Sequence, residues 1–153
     1  SVTAGNASGI NDAGAAVVLM EAAAAAKAGV KPLARLVAYA HAGVEPHIMG
    51  EGPIPAVQKV FQKAGLKPSD MDVVESNEAF AVQAMTVTKG LGLDPAKVNP
   101  NGGAVALGHP IGATGAILTV KCLYELQRTG GRYGLVTMCI GGGQGIAAIF
   151  ERL

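Results

Sequence analysis

The sequence predicts an α/β fold, a layered mixed sheet covered by helices. Three observations predict it. Apolar runs of strand length alternate with stretches of helical periodicity, the pattern of a sheet with helices on its faces. Half of the 153 residues are hydrophobic and only 15% are charged, a composition that buries a core and excludes disorder. Glycine fills 22 positions, Trp is absent and aromatics make up 4%, so the core is built from Ala, Val, Ile and Leu with backbones in close approach. The length suits a single domain, able to bury roughly 70% of the surface its unfolded chain exposes.

Taken in order, the small, polar opening Thr3 to Asp12 reads as a loop. Ala15 to Met20 is a continuous apolar run and reads as a buried strand. Glu21 to Ala28 is alanine-rich and reads as a helix stopped by Gly29. Leu33 to Ala42 reads as a second strand and Met49 to Pro53 as a turn. Pro55 to Ala64 suits a helix, with Val57, Val60, Phe61 and Ala64 on one face. A short strand is expected at Met71 to Glu75, then a helix from Glu78 to Lys89 with Asn77 as its N-cap. A helix from about Gly112 to Arg128 is expected to bury Ile117, Val120, Leu123, Tyr124 and Leu126. Tyr133 to Ile140 and Gly145 to Glu151 are strands joined by Gly141-Gly142-Gly143, a connection tight enough to make the pair antiparallel.

Several function classes are excluded. A formal charge of +1 carries no nucleic-acid footprint and no basic membrane-binding face. No uncharged apolar stretch reaches the ~20 residues of a membrane span. Two cysteines cannot build a disulfide framework, and with no secretory signal visible a reducing, cytoplasmic interior is expected. The chain opens without Met, which leaves organellar targeting open. The cysteines and the three histidines lack metal-ligand spacing, so no metal site is expected. Gly141-Gly142-Gly143-Gln144-Gly145 misses the dinucleotide pattern because position 146 is Ile146.

Chemistry concentrates at a few positions. His109 lies between Gly108 and Pro110 ahead of a predicted helix. It either fills a loop or acts as a base whose pKa the helix N-terminus lowers. Cys139 ends a strand at three glycines. It is either a small buried hydrophobe or a proton shuttle beside backbone N–H groups that cradle an oxyanion. Asn77 is either a cap or an amide that positions a water or a carbonyl. Cys122, on a helix, reads as core, and His41 and His47 read as structural or exposed.

Together these segments resemble one family. Asn77-Glu78-Ala79-Phe80-Ala81, Asn101-Gly102-Gly103-Ala104 running into Gly108-His109-Pro110-Ile111-Gly112-Ala113-Thr114-Gly115, and Cys139-Ile140-Gly141-Gly142-Gly143-Gln144-Gly145 resemble the C-terminal signatures of the thiolases. Thr3 to Asp12 resembles the stretch that precedes the C-terminal domain, and Met49 to Pro53 resembles another loop of that family. The resemblance is greatest to the acetyl-CoA acetyltransferase and β-ketothiolase branch. It implies a thiolase-like C-terminal domain at 13–153, with 1–12 as the end of the preceding loop region. It implies Claisen condensation of acyl-CoA thioesters, or thiolysis of a 3-ketoacyl-CoA, with no cofactor beyond the coenzyme A thioesters themselves.

The resemblance also implies roles. Cys139 is the acid/base toward the α-carbon, and His109 activates the nucleophile and binds the thioester oxygen. Asn77 holds a water in one oxyanion hole, and the Gly141 N–H belongs to the other. Ser8 contacts the pantetheine of CoA, Ala79 and Phe80 line its channel, and Met49 lines the acyl pocket. The acyl-accepting cysteine of the family has no counterpart here, so the expected partner is an N-terminal half that supplies it. The chain is expected to be inactive without that half, within a homodimer or homotetramer. Two alternatives stand beside this reading: a degradative 3-ketoacyl-CoA thiolase of longer chains, and a non-catalytic CoA-binding module.

Overall fold

The computed structural model describes residues 1–153. It contains one sheet of four strands in the order β1-β4-β3-β2. The strands are β1 (Ala34–Gly43), β2 (Val73–Ser76), β3 (Tyr133–Ile140) and β4 (Gln144–Arg152). β1 and β3 both run antiparallel to β4, whereas β2 runs parallel to β3. The mixed sheet and the antiparallel terminal pair therefore match the sequence expectation. The β3–β4 register runs from Tyr133 opposite Glu151 to Ile140 opposite Gln144. A bulge interrupts β1 between Leu36 and Ala38.

Helices cover the sheet from both sides. The α2 helix (Pro53–Ala64) buries Ala56, Val57, Val60 and Phe61. These pack with Ala40, Ala42, Val74, Leu135, Ala147 and Ile149 of the strands. The opposite layer is α5 (Thr114–Thr129), whose Leu118, Cys122 and Leu126 pack on Val73 and Val136. Cys122 is core as expected, because Gly134 lacks the Cβ that would strike its sulfur. The buried stripe of α5 is Thr114, Leu118, Cys122, Glu125 and Leu126. This corrects the expected face: of the five residues expected there only Leu126 is fully buried, and Tyr124 is exposed. The helix begins at Thr114, close to the expected start, and the i, i+4 and i+8 positions from Thr114 lie on its buried side. The remaining helices are α1 (Ala22–Lys27), largely exposed, α3 (Ala81–Gly90) and α4 (Ala104–Leu107).

Two further expectations are corrected. Ala15 to Met20 forms no strand; it has no ladder partner and lies exposed, Val18 at 89%. A strand needs a neighbouring edge for its N–H and C=O groups, and this run pairs with none of the four strands. The helix expected from Glu78 starts at Ala81, and Asn77 is not its N-cap. The Asn77 N–H donates instead to the Thr137 carbonyl at 2.9 Å. It prolongs the β2–β3 pairing by one residue, so its side chain is free for other work.

Candidate active site

The site is built at the carboxyl end of the parallel β2–β3 pair. Side chains alternate across a strand, so Val73, Glu75 and Asn77 point toward α5. Cys139, two residues past Thr137, closes the same end on β3. Asn77 is 1% exposed and Cys139 7%.

His109 is delivered to Asn77 by a loop anchored at several points. Asn99, with φ +48°, clamps the end of β2. Its carbonyl oxygen accepts from the Ser76 N–H at 2.9 Å, and its amide donates to the Ser76 carbonyl at 2.8 Å. Lys121 of α5 donates to the Gly102 carbonyl at 2.7 Å. Asn101 donates to the Glu125 carboxylate at 2.9 Å. Glu78 accepts from the Val105 N–H at 3.1 Å, at the start of α4. The chain leaves α4 through Gly108, at φ +100°. A side chain there would be strained by that φ and would collide with Asn11.

The opening segment is the last anchor. Ala7 bridges Phe80 and Ile10 bridges His109. The Ser8 N–H donates to the Ala79 carbonyl at 3.0 Å, and the His109 N–H is shared between Gly9 O at 3.2 Å and Asn11 Oδ1 at 3.1 Å. Ser8, Ala79 and Phe80 therefore sit together, beside the loop that carries His109. Ala79 is buried, and Ser8 and Phe80 are half-buried. A cleft of about 280 Å³ lies between 11–15 and 110–113. Met49 is half-buried in a 3₁₀ segment, Pro46–Glu51, that packs on α3 and on the adjoining ends of β3 and β4. The β3–β4 turn meets the end of β1 where the Val44 N–H donates to the Gly143 carbonyl at 2.6 Å. Gly143 has φ +92°, and a Cβ there would strike the Val44 carbonyl. Gly141 in that turn is exposed.

The hydrogen bonds fix the imidazole tautomer. His109 Nδ1 lies 2.8 Å from Thr114 Oγ1. That hydroxyl donates its own proton to the Pro110 carbonyl at 2.9 Å, so toward the ring it accepts. Nδ1 therefore carries the hydrogen, and Nε2 of the neutral ring is bare. Nε2 lies 3.4 Å from Asn77 Nδ2, a donor that suits a lone pair. The His109 pKa is lowered, and burial is the cause. The lowering is in the expected direction, and its cause is the loss of water around the imidazolium. Burial likewise pushes the Cys139 thiol up, partly offset by a backbone hydrogen bond, and pushes the core thiol of Cys122 up to about 12. His41 and His47 are exposed, as expected. Thr114, Asn11 and Lys121 escaped the sequence reading. Only Thr114 left a local signal there, as a hydroxyl five residues after the histidine at a helix start.

No group of His, Cys, Asp and Glu side chains is arranged to hold a metal ion, and no helix is long and apolar enough to cross a membrane.

The family model for the thiolase C-terminal domain matches residues 30–152. The chain is 70% identical to β-ketothiolase BktB of Cupriavidus necator over all of its length and 39% of that protein's. It superposes on the crystal structure of the Bacillus anthracis acetyl-CoA acetyltransferase with a TM-score of 0.98 and 52% identity, covering all of this chain and 39% of that one. It also superposes on human mitochondrial 3-ketoacyl-CoA thiolase in complex with CoA, with a TM-score of 0.92 and 48% identity, covering 99% of this chain and 39% of that one. The chain thus spans about 39% of the length of the curated relatives it matches. On these matches, and on the site at the end of β2 and β3, the chain belongs to the thiolase family and carries its C-terminal domain.

Proposed function

We propose that this chain contributes the acid/base part of an acyl-CoA acetyltransferase site that makes or cleaves 3-ketoacyl-CoA. The observation that carries the reading is the pinned His109. Its Nδ1–H is held by Thr114, and its bare Nε2 stands against Asn77.

In the condensing direction, the acyl group rides as a thioester on a nucleophilic cysteine supplied by the rest of the enzyme. The Cys139 thiolate takes a proton from the α-carbon of acetyl-CoA. The resulting carbanion attacks the acyl carbonyl, a carbon–carbon bond forms, and the cysteine sulfur leaves as thiolate. A raised thiol pKa suits this role, because it narrows the gap to the weakly acidic α-proton. Thiolysis runs the same steps backward, with Cys139 protonating the departing enolate carbon. His109 Nε2 takes the proton of the nucleophilic thiol and, once protonated, donates to the thioester oxygen. Asn77 acts beside it through a water. The Gly141 N–H is assigned to the oxyanion of the second thioester, and each such donor contributes ~3 kcal/mol. Ser8, Ala79, Phe80 and Met49 are assigned to the pantetheine channel and the acyl pocket. Coenzyme A thioesters are the substrates, and no other cofactor is assigned.

The test is His109→Ala and Cys139→Ala in the enzyme assembled with its N-terminal part. A true acid/base loses roughly 10²-fold or more in kcat when removed. Little change in either variant, with CoA binding retained, identifies a binding module instead. Rates against 3-ketoacyl-CoAs of increasing length decide between the short-chain reading and a longer-chain 3-ketoacyl-CoA thiolase.

A further inference from the structure

An ion pair with one fully buried partner lies near Asn77. Glu75 is fully buried, and its Oε2 accepts from Lys121 Nζ at 2.8 Å. The same ammonium donates to the Gly102 carbonyl at 2.7 Å. An ammonium has three donors, and these two contacts leave one unspent. Two acceptors nearby lack a protein partner: Glu75 Oε1 and Asn77 Oδ1, both buried. Asn77, Thr114 and Lys121 line one cavity of about 30 Å³, room enough for a water.

An amide can present either end to His109, and the two ends have opposite effects. With Nδ2 toward the ring, Nε2 is kept as an acceptor. With Oδ1 toward the ring, Nε2–H and the imidazolium are favoured. What holds the amide in the first orientation must engage Oδ1 from behind. We propose that Lys121 is a positioning residue for His109: its third N–H, through one water in this cavity, engages Asn77 Oδ1 and keeps Nδ2 turned toward His109 Nε2. Glu75 fixes the ammonium there, and Gly102 ties the same group to the loop that carries the histidine. The other charged or titratable groups on the segments that pack near His109 are Glu78 in the loop after β2, Asp12 in the opening segment and Cys139 at the end of β3. Glu125 on α5 is engaged by Arg128 and Asn101.

The kinetic consequence rests on His109 acting as acid/base, but the ring's own protonation reads the relay without activity. The test uses the whole thiolase carrying this chain, with Glu75→Gln and Lys121→Met introduced together so that net charge is unchanged. Ring ¹⁵N NMR of His109 is expected to show its pKa rising by about one unit. The acidic limb of kcat/KM is expected to move by the same amount with KM unaltered. Lys121→Arg, which keeps a donor, restores the original value. In an Asn77→Leu background the double change produces no further shift. An unchanged ring pKa, or an equal rise without Asn77, overturns the proposal. A wild-type crystal structure tests it with no variant to fold. A water bonded to both Lys121 Nζ and Asn77 Oδ1 supports it, and an empty cavity or a water touching only one of them refutes it. If His109→Ala leaves turnover intact while the ring responds as described, the catalytic reading falls and the relay stands.

Discussion

Thr114→Val isolates the contact that fixes the histidine. Valine keeps the volume and the helix start but removes the hydroxyl, which is buried and lies 2.8 Å from His109 Nδ1. The hydroxyl's other partner, the Pro110 carbonyl, is not orphaned by the change. It still accepts from the Ala113 N–H at 2.8 Å and the Thr114 N–H at 2.9 Å. The loss therefore falls on the Nδ1–H. One lost hydrogen bond to a ring that becomes charged costs about 1–2 kcal/mol, or roughly tenfold in rate. The neutral ring is then free to move its proton to Nε2, the wrong nitrogen for a base facing the substrate. The assay is acetoacetyl-CoA thiolysis by the whole enzyme, with thermal unfolding alongside. We expect kcat/KM to fall about tenfold, Tm to change little, and Thr114→Ser to recover most of the rate. A Thr114→Val enzyme within twofold of the parent, or a serine variant as slow as the valine one, refutes the tautomer argument.

Two further predictions concern stability. Leu126→Ala removes a fully buried side chain from the α5 layer, where it packs with Cys122 and Val73. Urea unfolding should show a loss of about 2–5 kcal/mol, and a loss below 1 kcal/mol would mean that the layer collapses to fill the gap. Hydrogen bonds from Arg128 and Asn101 hold the Glu125 carboxyl down at about 2. A carboxyl lowered on folding stabilises the fold above its unfolded pKa, and that contribution fades as pH falls through the folded value. Tm measured from pH 5 down to pH 2 should therefore drop less steeply in Glu125→Gln than in the parent, and parallel curves would contradict the assignment.

Most of the elements were legible in the sequence because their local and tertiary preferences agree. The apolar run Tyr133–Ile140 is buried through its centre, Gly134 to Thr137, and proline, apolar spacing and Gly65 define α2 without help from the rest of the chain. The legible part of the site consisted of residue types in unusual company, such as a histidine between glycine and proline or a cysteine before three glycines. Where reading failed, a non-local partner decided. Asn77 has the type and position of a helix cap, yet pairing with Thr137 makes it a strand end. Ala15–Met20 has the composition of a strand but pairs with none of the four.

The sequence by itself determined the layered α/β class, the order of the elements and the residues able to do proton chemistry, because periodicity, propensity and side-chain type are local properties. Only the tertiary structure decided which nitrogen of His109 is bare, what lowers its pKa, and that Lys121 and Glu75 lie near Asn77. Those depend on contacts between residues 5 to 46 positions apart. Burial and hydrogen-bond direction exist only once such residues are brought together.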